Sequence, residues 1–204
     1  RKELQNKVLK MAGWLRTKGI KKGDRVCAYM PNCSETIITM LATSALGAIF
    51  SSCSSDFGIE GVIDRFEQIE PKILVATNGY LYNGKLIERA EEIKTISKRL
   101  TSLEHVLVVE YINSTKDIDS FPNFNTVFHA DPLEKYVLCD FNDPLYIVFS
   151  SGTTGKPKCI VHSIGGVLIQ HAKEHLLHTN LIEKEKIFYF TTCGWMMWNW
   201  LIGS

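Results

Sequence analysis

The sequence predicts an α/β protein in which strands and helices alternate around a largely parallel sheet. Short apolar runs of strand length are separated by longer segments with helical periodicity, and this alternation is typical of parallel sheets. Hydrophobic residues make up 45% of the 204 residues and charged residues 22%, an ordinary globular mixture. There is no internal repeat, low-complexity tract or domain linker, so the alternation is expected to run through one unit.

The first half of the chain is predicted to contain three helices and two strands. Leu4, Val8, Met11, Ala12 and Leu15 share one helical face, and Gly19 ends that helix. Ser34 is the predicted N-cap of the second helix. In order, the elements are a helix over residues 4–18, a strand over 25–30, helices over 35–46 and 58–69, and a strand over 72–77.

The second half continues the same alternation, interrupted by one long irregular stretch. Asn, Asp and Pro are scattered through residues 111–143, which are predicted to be a surface excursion. The predicted elements are a charged amphipathic helix over 85–100, a strand over 105–110, strands over 146–149 and 159–162, a helix over 166–177 and a strand over 186–192.

Charge and cysteine usage exclude several classes of partner. The net charge is +1, so no broad basic field indicates a nucleic-acid partner or an anionic membrane surface. The 20 uncharged residues 36–55 include eight Ser or Thr, which favours a buried helix and strand over a membrane span. Six cysteines without a CxxC pair indicate reduced thiols. Together with the lack of a signal peptide at the start, they predict a cytosolic location.

The loop SSGTTGKPK, residues 150–158, carries the main functional signal. Its glycines allow backbone N–H groups to approach an anion, its hydroxyls add donors, and its lysines supply charge for phosphate oxygens. Pro157 stands where a Walker motif counted from Gly152 needs glycine, and no helix begins at the loop. A Ser/Gly/Thr hexamer alone would indicate a solvated turn. The flanking strands and the lysines favour a phosphate cradle instead.

This loop resembles the phosphate loop of the adenylate-forming synthetases, the superfamily of acyl-CoA synthetases, luciferases and peptide-synthetase adenylation domains. The segments SSCSSDFG, GVIDRFEQIEPK, PKCIVHS and GWMMWNW narrow the resemblance to the acetoacetyl-CoA synthetase subfamily. Cys159 replaces a glycine that most of the superfamily has, and that replacement is expected within the subfamily. The resemblance implies that residues 1–204 are an incomplete N-terminal synthetase domain.

The resemblance also implies a reaction and roles for individual residues. Acetoacetate and ATP would form acetoacetyl-AMP and pyrophosphate, and coenzyme A would then release AMP, with Mg²⁺ offsetting phosphate charge. Trp195, with Lys85 as a weaker candidate, would contact coenzyme A, and Met196 and Met197 would shape the acid pocket. The ATP phosphates would be held by Ser150, Ser151, Gly152, Thr153, Thr154, Gly155 and Lys158.

Other residues have an ordinary structural interpretation beside the functional one. Lys156 is as readily explained as a solvated lysine, and Lys85 as a lysine at the start of a helix. Met196 and Trp198 are equally consistent with core packing. No catalytic residue is expected within the chain. The resemblance implies that a lysine of a mobile C-terminal domain lies beyond Ser204, so the missing half of the enzyme is the expected partner and the fragment alone is expected to be inactive.

Three alternatives stay open at the level of sequence. A related ligase would use acetate or propionate, and a non-catalytic nucleotide-binding remnant would complete no reaction. The third alternative is a zinc site, because His171, Glu174 and His175 fit H-x-x-E-H and His178 adds a further imidazole. That pattern specifies only three residues, and the helix already belongs to the resemblance.

Overall fold

A six-stranded sheet forms the centre of the computed structural model, which describes residues 1–114, 118, 120–150 and 155–204. In chain order the strands are β1 (Arg25–Tyr29), β2 (Ile49–Cys53), β3 (Ile73–Thr77), β4 (Gly79–Tyr82), β5 (Lys85–Glu88), β6 (His105–Val109), β7 (Pro144–Phe149) and β8 (Cys159–Ser163). Six of these strands form the sheet, and the other two, β4 and β5, form a separate hairpin. The sheet has the order β6-β3-β1-β2-β7-β8, and only β8 runs antiparallel to its neighbour. The predicted largely parallel α/β fold is confirmed.

Helices cover both faces of this sheet. They are α1 (Lys2–Thr17), α2 (Ser34–Ala45), α3 (Ile59–Phe66), α4 (Ala90–Arg99), α5 (Ile164–Ala172) and α6 (Met196–Ile202), with a short 3₁₀ helix over Phe124–His129. A π-helical turn, Lys173–His178, continues α5. The described residues between 111 and 143 are otherwise mostly irregular, as predicted.

The alternation of side chains along β1 explains the two layers. Val26 and Ala28 point into one core with α1, α2 and α6, whereas Cys27 and Tyr29 point into a second core with α3 and α4. All five residues of β3 are buried. Strands buried on both faces read as continuous apolar runs, which is why they were recognisable in the sequence.

The uncharged stretch 36–55 forms most of α2 and all of β2, as the sequence predicted. Among the described residues, no helix is long and apolar enough to cross a membrane. All six cysteines are free thiols. Burial raises the pKa of Cys53 to about 12 and that of Cys27 well above its usual range, so both thiols are unreactive in the folded protein.

The predicted helix over residues 85–100 is wrong in its first part. Residues 85–88 form β5, which pairs with β4 in an antiparallel hairpin, and the helix begins only at Ala90. Asn83 and Gly84 connect the strands with positive φ angles of 48° and 73°. Asn-Gly is the preferred pair for such a two-residue turn, so the sequence did carry the signal.

Two further predictions are wrong. Residues 186–192 form no strand, because no strand among the described residues lies alongside to pair with their backbone. Ser34 does not cap α2; the helix begins at Ser34, and its hydroxyl donates to the Glu35 carboxylate over 3.0 Å.

Candidate nucleotide and thioester site

The carboxyl ends of the parallel strands bring the predicted functional segments to one edge of the sheet. The loop after β2, the hairpin after β3 and the loop after β7 all leave the sheet at this edge. Ligands of open α/β sheets bind outside the carboxyl ends of the strands. The connectivity therefore places the phosphate loop, Lys85 and the SSCSSDFG segment at the edge where a ligand is expected.

The stem of the phosphate loop is formed by β7 and β8, which confirms the predicted flanking strands. Phe149 pairs with Cys159, and the Ser150 N–H donates to the Lys158 carbonyl over 3.1 Å. Gly155 has a φ of 149° with open space around its Cβ position, a backbone conformation that glycine tolerates best. The predicted ligands Ser151, Gly152, Thr153 and Thr154 lie outside the described residues.

The two lysines of the loop have different surroundings. The Lys156 ammonium lies 3.5 Å from an Asp64 oxygen and 3.7 Å from a Glu67 oxygen, so its charge is directed at the end of α3. Lys158 is exposed and forms no ion pair within the described ranges. Within the described residues, the charge of Lys156 is therefore paired with carboxylates and that of Lys158 is not.

The Gly-Trp segment reaches the same edge through contacts of high sequence separation. The Ser52 hydroxyl donates to the Cys193 carbonyl over 2.5 Å, and the Cys193 thiol donates to the Met30 carbonyl over 2.8 Å. A Cβ on Gly194 would stand 3.2 Å from the Ser54 nitrogen. Burial raises the pKa of Cys193, so its thiol is a structural donor. The segment therefore packs directly over the ends of β1 and β2.

The side chains after Gly194 divide between solvent and core. Trp195 is 61% exposed, Met196 is exposed and Met197 is half-buried. Trp198 is fully buried, packs near Phe50 with 6.2 Å between ring centroids, and donates from Nε1 to Asn32 Oδ1 over 2.9 Å. Core packing therefore explains Trp198, whereas Trp195 and Met196 are accessible to a ligand.

Comparison with known proteins agrees with this arrangement. The model of the family described as "AMP-binding enzyme" matches residues 2–202. The chain belongs to this family. It is 45% identical over 210 residues to the acetoacetyl-CoA synthetase of Macaca fascicularis and 48% identical over 206 residues to that of Rhizobium meliloti.

A solved structure supports the same fold. The chain superposes on the acetoacetyl-CoA synthetase from Streptomyces lividans with a TM-score of 0.93 and 38% identity, over 98% of the chain and 31% of that structure. It also covers 31% of the length of the two curated relatives. The chain therefore corresponds to about a third of these proteins.

Lys85 is the exposed first residue of β5, where it pairs across the hairpin with Tyr82. Its alternative interpretation as a helix lysine is wrong, because the helix starts five residues later. The base of the hairpin is fixed by Asn78, whose carbonyl accepts the Arg89 N–H over 2.8 Å and whose amide donates to the Ile112 carbonyl over 2.8 Å. Lys85 therefore lies near the tip of a hairpin whose base is held by hydrogen bonds.

Sequence reasoning missed the network that holds the SSCSSDFG loop in the family fold. The Tyr29 hydroxyl is placed to donate to the Ser55 carbonyl, at 3.1 Å, and to the Phe57 carbonyl, at 2.7 Å. Arg89 donates to the Ser55 carbonyl over 2.9 Å and to the Tyr80 hydroxyl over 3.2 Å. Burial raises the pKa of Tyr29, which remains a neutral donor. No local sequence pattern marks these residues, because the bonds from Tyr29 and Arg89 to the Ser55 and Phe57 carbonyls join residues at least 26 positions apart.

Two histidines of the zinc hypothesis, His171 and His175, are buried beside α6, whereas His178 is exposed. The His175 ring lies 4.6 Å from the Trp200 ring, and its Nε2 is 3.1 Å from the Trp200 carbonyl. Glu174 pairs with Lys173 and accepts from Gln170. Within the described ranges, no group of three or more His, Cys, Asp or Glu side chains is placed to hold a metal ion. This arrangement does not support a zinc site.

A cavity of about 650 Å³ lies apart from the phosphate loop, between α2, α5 and residues 181–187. The exposed area of its wall is mainly apolar, and its lining residues include the buried polar side chains of His171, His175 and Asn199. Its lining includes Leu145 and Tyr146 from the start of β7, whereas the loop follows the other end of that strand. The cavity is thus separate from the site assembled above.

Proposed function

We propose that these residues form the nucleotide- and thioester-binding part of an ATP-dependent acetoacetate–CoA ligase. The observation that carries this proposal is the convergence of the phosphate-loop stem and the Gly-Trp segment on one sheet edge, in a chain 48% identical to an acetoacetyl-CoA synthetase. The reaction has two steps, and a carboxylate oxygen, a poor leaving group on carbon, is converted into AMP, a good one.

In the first step, an acetoacetate carboxylate oxygen attacks the α-phosphorus of ATP, and the bond to pyrophosphate breaks. The 150–155 backbone and hydroxyls, with the exposed Lys158, would hold the β- and γ-phosphates and absorb charge as pyrophosphate leaves. The described residues contain no carboxylate cluster for a resident metal. Mg²⁺ would enter as MgATP, held by the phosphates of the substrate.

In the second step, the coenzyme A sulfur attacks the acyl carbon, AMP leaves with the bonding electron pair, and the thiol proton is lost. Trp195 would offer its exposed face to the thiol arm, and Lys85 would meet a phosphate of the coenzyme A nucleotide. Met196 and Met197 would shape the pocket for the four-carbon acid because thioether side chains adapt to irregular surfaces.

We also infer that residues 1–204 do not complete a turnover alone, because they span 31% of the relatives. The remainder of such a ligase, including a mobile C-terminal domain, would be their partner. Six free thiols are consistent with a reducing compartment, so we place the reaction in the cytosol. Synthesis of acetoacetyl-CoA by the purified 204-residue chain would contradict this inference.

ATP–pyrophosphate exchange tests the proposal, using the product of the complete reading frame that encodes residues 1–204. Acetoacetate should drive exchange faster than acetate, propionate or butyrate. Preference for acetate or propionate would assign a different short-chain ligase. Nucleotide binding without exchange for any acid would indicate a non-catalytic protein.

Lys158→Ala tests the role of the loop in the same assay. Loss of a charged donor to the leaving group should lower exchange by about 100-fold. Lys98→Ala is the matched control, because Lys98 is an exposed lysine on α4 far from the loop in sequence. Equal activity of the two variants would remove Lys158 from the site.

A further inference from the structure

The arm that leads out of the phosphate loop is fastened to the end of α3. Pro157 lies in this arm and is buried, although Lys156 and Lys158 on either side are exposed. The Pro157 carbonyl accepts a hydrogen bond from Gln68 Nε2 over 2.9 Å, across 89 residues of sequence. Proline has no N–H, so this carbonyl is the only polar backbone group with which it can be fixed.

Both the nitrogen and the oxygen of the Gln68 side-chain amide form hydrogen bonds at this junction. Its nitrogen also donates to the Asp64 carbonyl over 2.5 Å, which holds the side chain against the end of α3. Its oxygen lies 3.6 Å from the Cys159 sulfur and accepts from that thiol. The two donors of the amide therefore meet two carbonyls, and its acceptor meets a weak donor.

An ion-pair contact reinforces the same junction. Lys156 lies within 4 Å of carboxylate oxygens of Asp64, in the last turn of α3, and of Glu67, the residue that follows α3. These groups are largely exposed, so the pairs contribute little energy and are screened by salt. They nevertheless place the Lys156 ammonium beside the end of α3, where its charge is paired with two carboxylates of the protein.

We propose that Gln68 is a positioning residue for the phosphate loop and that Lys156 belongs to the same anchor, leaving Lys158 to meet the phosphates. This inference rests on the proposed function and adds the element that supports the loop. A loop with one arm already fixed loses less conformational freedom when ATP binds and presents its donors in one register. The anchor acts on ATP through the loop and does not contact the acid.

The side-chain chemistry of Gln68 offers two sharp substitutions. Gln68→Glu keeps the shape but places carboxylate oxygens opposite the Pro157 and Asp64 carbonyls. Gln68→Met keeps the length without donors or charge, which separates loss of the hydrogen bonds from repulsion between the new carboxylate and ATP. Gln5→Glu and Gln5→Met are matched controls on the exposed surface of α1.

Kinetics of the complete protein test the proposal. Both Gln68 variants should raise the KM for ATP in acetoacetate-dependent pyrophosphate exchange by about tenfold, whereas the KM for acetoacetate should change less than about twofold. The Gln5 variants should match the unchanged protein. An unchanged KM for ATP in Gln68→Met, in a protein with normal exchange, would overturn the positioning role.

Hydrogen exchange measured by mass spectrometry supplies a readout that does not need activity. Amides of a peptide covering residues 150–160 should exchange faster in both Gln68 variants, by about threefold or more, whereas α1 peptides should be unaffected. Faster amide hydrogen exchange of this peptide in a protein without ligase activity would contradict the proposed function but support the anchor. Unchanged amide exchange would overturn the anchor whatever the activity.

Discussion

Two uncharged apolar segments of this protein differ in how far their side chains are buried. The first apolar segment, residues 36–53, forms most of α2 and the whole of β2 and is largely buried. The second apolar segment, residues 187–202, exposes Phe188 by 83% and Phe190 by 88%, yet buries Cys193 and Trp198. Hydrophobic content alone would have predicted the same outcome for both.

Backbone partners account for the difference. The first apolar segment supplies β2, which has hydrogen-bonded strands on both sides, and α2, which packs against α1 and β2. The second segment has no strand alongside it among the described residues. In the part of the chain that the structure describes, its backbone finds regular partners only within α6, and residues before α6 are attached through side chains such as Cys193. An apolar run is buried only where its backbone also finds partners.

The largest expected effect is on the core of the first segment. Phe50→Ala should lower the free energy of unfolding by about 3–5 kcal/mol, because Phe50 is 1% exposed and its removal leaves a cavity. Phe190→Ala should change it by less than about 0.5 kcal/mol in the 204-residue chain. Urea unfolding followed by circular dichroism measures both, and equal losses would break the comparison.

Within the second segment, the two tryptophans should behave differently. Trp198→Phe keeps an aromatic ring but removes the Nε1 donor to Asn32, which should cost about 1–3 kcal/mol. Trp195→Phe is the control, since that side chain is mostly exposed, and stability should be preserved. If thermal unfolding midpoints fell equally for both, the assignment of Trp198 to the core and Trp195 to the ligand face would be wrong.

Two helical glycines sharpen the role of tertiary partners. A Cβ on Gly13 of α1 would overlap the Asp131 carbonyl oxygen, in a segment held on α1 by the Leu133 N–H bond to the Leu9 carbonyl. Gly13→Ala should therefore destabilise the protein by about 1–3 kcal/mol. Gly61→Ala on α3, where the nearest atom is 3.7 Å away, should stabilise it by about 0.5–1 kcal/mol. Denaturant midpoints of the two variants should shift in opposite directions.

The smallest expected effect is a pH dependence at the contact between α5 and the second apolar segment. Burial, and then the neighbouring His175 and His162, lower the pKa of His171 below 6.5. The unfolded chain therefore binds a proton that the folded chain resists, and stability should fall as pH drops below about 6.5 until the folded pKa is passed.

His171→Gln tests this dependence by removing the titrating group. The variant should show a shallower loss of stability between pH 7.5 and pH 5.5 than the unchanged protein. His129→Gln changes an exposed histidine on the 3₁₀ helix and serves as the control. A steeper loss in His171→Gln would mean that the imidazole is stabilised by protonation, contrary to its surroundings.

The sequence was most informative where a single element carries its own signal. β1, β3 and β6 were predicted within one residue of their ends, because strands buried on both faces are continuous apolar runs. The two strands that form the stem of the phosphate loop, β7 and β8, were predicted from the apolar runs on either side of the loop. The hairpin after β3 was missed because the amphipathic periodicity of residues 85–100 outweighed the Asn83-Gly84 turn signal.

The amino-acid sequence by itself determined the α/β fold class, the order of most strands and the loop that points to ATP. These features depend on periodicity and local chemistry within a few residues. Only the tertiary structure decided that Trp198 is buried beside an exposed Trp195, that Cys193 bonds to Met30, and that Gln68 fastens Pro157. Those contacts join residues as far as 163 positions apart, and their free energy depends on which neighbours the folded sheet brings together.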